Sequence, residues 1–294
     1  MSTDQSAINN RDYSSISPSA RSLLLLKGLT DIPFTLEAAK LITYPETYEP
    51  DFELKDFVLW ARVLHFENRY KSINQLLAGL PVSNILELSS GFSFRGLYST
   101  LHRNVHYIDT DLPDVITTKQ SLLSSLLQAE QAPKGQLETL PLNALHQTEF
   151  ANITNRFPEG ELAIINEGLL VYLNMDEKRK LCHNIRNVLQ QRAGYWITAD
   201  IYIKSDRNLL SMIGNDKLKR FFEEHRIEEN KFESFEAAET FFKSEGFVID
   251  KEAEPDYQAS GSLKYLRASA SPEQLYNIGK TGRIRTTWRL KLAQ

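Results

Sequence analysis

The sequence predicts an α/β fold: a doubly wound, mostly parallel sheet with an antiparallel C-terminal strand, preceded by an N-terminal helical cap. Three observations predict it. Between Ser83 and Asp200, short apolar runs alternate with amphipathic stretches of helical period, the pattern of a parallel sheet covered on both faces. Before Ser83 the apolar residues recur only at helical spacing. At the far end, Arg283 to Leu292 alternates strictly. Arg283, Arg285, Thr287, Arg289 and Lys291 fall on one face and Ile284, Thr286, Trp288, Leu290 and Leu292 on the other. That alternation reads as a strand with one solvated and one buried face.

Taken in order, residues 1–16 read as a loosely docked tail and 17–294 as a single domain. Within it, 17–82 form the helical cap, 83–200 a ligand-binding core, 201–245 a helical insertion or lid, and 246–294 the C-terminal strands. Ser17-Pro18 opens the first helix, with serine as N-cap and proline at the first helical position. Asp31-Ile32-Pro33 separates it from a second helix over about Thr35 to Ile42, and the Pro- and Tyr-rich stretch Tyr44 to Asp51 reads as a loop. A long helix is expected from Glu53 to Leu80, interrupted near Glu67, with Pro81 ending it.

Strands are then expected at Asn84–Leu88, Val105–Asp109, Leu137–Leu142, Leu162–Asn166 and Tyr195–Asp200, with helices over Phe94–Leu101, Leu112–Glu130 and Asn174–Arg192. The last begins with Asn174 and carries Glu177 three residues on, a capping-box spacing. Beyond Asp200, Asp206 to Arg226 reads as helical. Phe235 to Ser244 is a helix closed by Gly246, and Phe247 to Ile249 opens a sixth strand.

Composition narrows the function classes. A chain of 294 residues can bury a substantial core without disulfides or metals. Its formal net charge of −4 gives no global attraction to nucleic acid or an anionic membrane. The basic face of the last strand is explained by solvation alone. The single cysteine, Cys182, excludes an intramolecular disulfide and a cysteine-cluster metal site. No H-x-x-x-H or H-E-x-x-H pattern suggests a metal constellation. The N-terminal residues lack a signal-peptide pattern. Leu23 to Leu26 falls far short of the roughly 20 apolar residues a membrane span needs. A cytoplasmic location is the expectation.

Chemistry concentrates at the predicted carboxyl ends of the strands, where ligands bind in such sheets. Glu87-Leu88-Ser89-Ser90-Gly91-Phe92-Ser93-Phe94-Arg95-Gly96 leaves the first strand and opens a helix. Small residues there let the backbone approach a ligand, and the helix start offers free N–H groups. The segment lacks G-x-G-x-x-G, and a plain tight turn is its competing reading. Asp109 and Asp111, in Tyr107-Ile108-Asp109-Thr110-Asp111-Leu112-Pro113, end the second strand roughly 20 residues on. That is the spacing of a ribose-binding acid; an N-cap role for Asp111 is compatible with it. Asn166-Glu167-Gly168-Leu169-Leu170-Val171-Tyr172-Leu173 leaves the fourth strand and fits a pocket wall, or a purely structural turn.

These segments, with Ser17-Pro18-Ser19-Ala20-Arg21, Arg69-Tyr70-Lys71-Ser72-Ile73 and the late Thr287-Trp288, make the chain resemble the leucine carboxyl methyltransferase family, which includes bacterial polyketide-type O-methyltransferases. The resemblance covers nearly the whole chain. It implies a Rossmann-like class I fold, S-adenosylmethionine as cofactor with S-adenosylhomocysteine as product, and methyl transfer to a carboxylate or hydroxyl. It also implies site roles. Arg69 would pair with the methionyl carboxylate, and Gly91, with Glu87 and Ser89 beside it, would shape the loop around the methionine. Asp111, with Asp109 as second choice, would hold the ribose. Asn143, followed by Ala144, stands where the family often has Asp, near the adenine. Glu167, followed by Gly168, would face the methionyl amino group, and Tyr172 would lie near the sulfonium or acceptor as the catalytic candidate. The family usually has glycine where Ser89 stands.

A small-molecule acceptor is expected, with no nucleic acid and no membrane as partner; oligomeric state is open. A carboxylate acceptor needs no general base at pH 7, whereas a phenol is helped by one. Of the six histidines, His65 and His146 are the candidates. The competing readings are an NAD-dependent oxidoreductase, a non-catalytic binding protein of the same fold, and a scaffold with an empty pocket.

Overall fold

The computed structural model describes residues 17–128, 132–204, 220–221, 223–280 and 282–293. Three helices come first: α1 (Ser17–Lys27), α2 (Thr35–Thr43) and α3 (Phe57–Leu77). The alternating region follows as β1 (Asn84–Leu88), α4 (Arg95–His102), β2 (His106–Asp111), α5 (Pro113–Leu127), β3 (Gln136–Pro141), α6 (Gln147–Thr154), β4 (Leu162–Asn166), a 3₁₀ turn (Leu170–Tyr172), α7 (Met175–Arg192) and β5 (Gly194–Tyr202). The chain continues with α8 (Phe235–Ser244), β6 (Phe247–Glu252), α9 (Leu263–Ser269), α10 (Pro272–Lys280) and β7 (Arg285–Leu292).

The strands form one seven-stranded sheet in the order β3-β2-β1-β4-β5-β7-β6. β1 to β5 pair in parallel, and β7 runs antiparallel to both β5 and β6. This is the expected Rossmann-like sheet. The order reverses at β1, so the carboxyl ends of β1 and β4 flank a switch point where a ligand crevice can open.

Side-chain alternation divides the core. Ile85, Tyr107, Ala163, Ile165, Ile197 and Ala199 face Ile73, Leu76 and Leu77 of α3. Leu86, Leu88, Ile164, Trp196 and Leu290 face Leu181, Cys182 and Ile185 of α7 and Phe241 and Phe242 of α8. The cap is pinned by Trp60. It is fully buried, stacks on Tyr265 of α9 with ring centroids 4.6 Å apart, and donates its indole N–H to the Leu54 carbonyl.

Three sequence expectations change here. The long helix is α3, starting at Phe57 with Asp56 as N-cap and running unbroken through Glu67. That carboxylate is fully buried and accepts from the Gly261 and Ser262 amides and the Ser262 hydroxyl. Its charge is met by that distant loop and by Lys71 one turn on, 2.7 Å away.

The basic face of the last strand is solvated only at its ends, where Arg283 and Lys291 are exposed. β7 is an interior strand and α3 lies across its middle, so Arg285 donates to Asn68 Oδ1 and Thr287 Oγ1, and Arg289 to the Leu76 carbonyl and Asp250. Helices α6, α9 and α10 lie outside the elements that periodicity predicted. The expected helix over Asp206 to Arg226 falls mostly outside the described residues.

No described helix is long and apolar enough to cross a membrane. The capping box of α7 is complete: Asn174 Oδ1 accepts from the Glu177 amide at 3.0 Å, and Glu177 accepts from the Asn174 amide at 2.8 Å. Asn174→Ala should lower unfolding free energy by about 1 kcal/mol in urea titrations, with an unchanged m-value.

Candidate functional site

The site is assembled at the carboxyl ends of β1, β2 and β4. After Leu88 the backbone turns through Ser89 and Gly91, each with φ of +49°. Glycine takes this left-handed conformation freely, whereas in serine it costs about 1–2 kcal/mol. The turn is held from β2. The Ser90 amide donates to the Thr110 carbonyl at 2.9 Å and the Gly91 amide to Asp111 Oδ2 at 2.7 Å. Asp111 Oδ1 accepts from the Leu112 amide at 2.7 Å; Leu112 is the N-cap residue of α5, which has no side-chain cap, so the N-cap role open to Asp111 in the sequence is not taken. Burial raises the pKa of Asp111 against the pull of these two N–H groups. Each oxygen keeps a further lone pair.

Lys119 of α5 holds the turn from beneath. It is fully buried, donates to Ser90 Oγ at 2.9 Å, and stands 2.9 Å from Asp109 Oδ2. Lys119 is the sole close partner of the Asp109 carboxylate among the described residues. Burial, with Glu87 adding to it, therefore pushes Asp109 up to about 7 despite the lysine charge.

The second part of the site centres on Glu167, just past β4. Its side chain is 4 % exposed and meets three cations from three helices: Lys27 Nζ at 2.7 Å, Arg69 Nε at 3.1 Å and Arg95 Nη2 at 3.2 Å. Burial alone would raise its pKa, but Lys27, Arg69 and Arg95 hold its carboxyl well below the usual carboxylate range. Arg95 is shared with Glu87, which also accepts from the Tyr107 hydroxyl at 2.5 Å. Among direct contacts the cluster sets three basic groups against two carboxylates, with the charge of Asp200 also acting on Arg69, and burial lowers the pKa of Lys27.

Asp200, near the end of β5, shapes the turn beyond Glu167. It accepts from the amides of Gly168, Leu169 and Leu170 and from Asn166 Nδ2. Gly168 has φ of +87°, and a Cβ there would come within 3.3 Å of Arg69 Nη2. On the other side of Arg69, the Tyr202 hydroxyl lies 3.4 Å from Nη1 and 2.7 Å from His65 Nε2.

The structure therefore brings together Arg69, Ser89, Gly91, Asp111, Glu167 and Gly168 from the sequence reading. Glu87 and Asp109 lie beneath them, engaged by Arg95 and Lys119. Asn143 follows β3 and accepts from the Leu145 amide, and the Ala144 carbonyl receives Asn184 Nδ2. Tyr172 lies beside Ser19 of α1, His225 and Phe221, and burial raises its pKa. His146 is exposed and pairs with Glu149 one turn on.

Sequence reasoning missed Lys27, Arg95, Asp200 and Tyr202. Lys27 carried a signal, as a lone cation ending an apolar helix. So did Asp200, an acid ending a parallel strand like Asp111.

No protein-family model matches the chain, and no curated protein matches its sequence. Among solved structures, a DUF574 family protein from Streptomyces avermitilis is similar at a TM-score of 0.51 and 12% identity, covering 93% of this chain and 97% of that one. This shows a shared fold. Magnesium protoporphyrin IX methyltransferase from Synechocystis with bound SAH aligns at a TM-score of 0.48 and 10% identity over 94% of this chain and 99% of that one.

Two outcomes are expected. Ser89→Gly should raise unfolding free energy by about 1 kcal/mol in urea titrations, by relieving the left-handed serine. Asp109, raised from 3.8 to about 7, binds more protons folded than unfolded across that interval. Its contribution to stability therefore falls as pH rises from about 4 to 7, and Asp109→Asn should flatten that part of the stability–pH curve.

Proposed function

We propose that this chain is a class I S-adenosylmethionine-dependent methyltransferase that methylates an oxygen of a small molecule, and that it belongs with the leucine carboxyl methyltransferases. The observation that carries this reading is the cluster around Glu167, which is complementary to an amino-acid head group. Glu167 can accept from an ammonium. The unused donors of Lys27, and Arg69 Nη2, which donates to no described residue, can meet a carboxylate. The head group carries one charge of each sign, so both of its ends meet a partner of opposite charge in the cluster.

The turn at β1 and the acid at β2 fit the rest of such a cofactor. Asp111 is fixed by two backbone amides, and its remaining lone pairs suit two vicinal ribose hydroxyls. The small residues Ser89 to Gly91 leave the backbone approachable. When bound, the cofactor supplies an electrophilic methyl on a positively charged sulfur. The chain's own work is to align an acceptor oxygen with that methyl and to exclude water, and alignment alone contributes several kcal/mol. Tyr172 lines the acceptor side in this reading. The turn at Ser89 to Gly96 lacks the glycine pattern that cradles a pyrophosphate, which disfavours NAD.

Isothermal titration with S-adenosylhomocysteine and, separately, with NAD tests the proposal. Binding is expected for the first alone. Arg69→Ala and Asp111→Ala should each weaken it about 10- to 100-fold, the loss of a charged hydrogen bond. Heat with NAD and none with S-adenosylhomocysteine would sink it.

A further inference from the structure

His65 and Tyr202 form a polar pair beside Arg69 that cofactor binding leaves unused. His65 lies on α3 one turn before Arg69, and Tyr202 ends β5; both are partly exposed. The Tyr202 oxygen is 2.7 Å from His65 Nε2 and 3.4 Å from Arg69 Nη1. A guanidinium only donates, so Tyr202 accepts from Arg69. In the tautomer with the proton on Nδ1, His65 Nε2 accepts the Tyr202 proton.

The surroundings keep the imidazole neutral. Burial, then the charges of Arg285 and Arg69, hold its pKa well below the ordinary histidine value, with Lys231 acting the same way and Glu167 opposing. A phenolic oxygen has two lone pairs. Arg69 takes one, and no described residue donates to the other.

We propose that Tyr202 and His65 form a proton relay for an acceptor hydroxyl, so that the oxygen methylated is that of an alcohol or phenol. This rests on the methyltransferase reading. The acceptor oxygen forms the new bond to the methyl carbon, and the carbon–sulfur bond breaks with its electron pair left on sulfur as a thioether. The acceptor proton passes to the Tyr202 oxygen as the Tyr202 proton passes to His65 Nε2. The imidazolium, destabilised by its cationic neighbours, then releases a proton to water. A carboxylate acceptor is already ionised at neutral pH and would leave the relay idle. Tyr202 is the residue placed to touch the acceptor; His65 acts through it.

The test is methyl transfer from labelled S-adenosylmethionine to matched pairs of aromatic and aliphatic compounds, one of each pair bearing a hydroxyl and the other a carboxyl. The wild type should label hydroxyl compounds. Tyr202→Phe and His65→Ala should lower kcat/KM for them about 100-fold or more. For His65→Ala, which does not touch Arg69, affinity for S-adenosylhomocysteine measured by calorimetry should stay within about threefold, and circular dichroism should show both variants folded. Added imidazole should restore part of the His65→Ala activity. Labelling of carboxyl compounds alone, no labelling of any hydroxyl compound, or undiminished labelling by the two variants overturns the relay. Loss of cofactor binding by the wild type instead overturns the reading beneath it.

Discussion

The architecture of the site depends on the charge balance at Glu167. One buried carboxylate draws Lys27 from α1, Arg69 from α3 and Arg95 from α4 to a single point beyond β4. Without it, three cations would be packed together out of water, a costly arrangement. The contact therefore does two things. It fixes the helical cap on the strand ends, and it puts a charge-rich cluster where ordinary apolar core would otherwise lie. Arg69 spans the cluster, with Glu167 on one side and Tyr202 on the other.

The two faces of the sheet divide the labour. On the α7 and α8 face, Trp196, Phe242, Phe247 and Trp288 meet edge-on with centroids 5.4 to 6.1 Å apart, a rigid apolar foundation. On the other face, Glu87, Tyr107, Asp109, Arg95 and Lys119 put a polar network directly under the turn at Ser90 and Gly91. That turn is set from below by Lys119 and from the side by Asp111. Its shape belongs to the fold and does not wait for a ligand.

What was legible in the sequence was local. β1, β4 and α8 have the bounds read from apolar runs and caps, and the Asn174–Glu177 box stands as its spacing required. The candidate residues at strand ends were legible because a parallel sheet puts its loops there. Distant partnerships were not. Lys27 and Glu167 lie 140 positions apart, and nothing within either segment encodes their meeting. Strand order misled in the same way: the alternation of Arg283 to Leu292 showed two faces but not that α3 would cover the middle of the basic one. Short helices such as α6 and α9 have too few turns to establish a period.

The insertion of β7 between β5 and β6 has a consequence for how the molecule is made. Synthesis runs from β1 toward β7, and the parallel strands β1 to β5 can pair as they emerge. β6 cannot join them, because its hydrogen-bonding partner is a strand translated later. Until then the outer edge of β5 is open, and Trp196 and Phe242 lack the indole of Trp288 that completes their cluster. The nascent chain must therefore carry an unfinished sheet margin, exposed to unwanted strand addition, until its final segment threads into the gap.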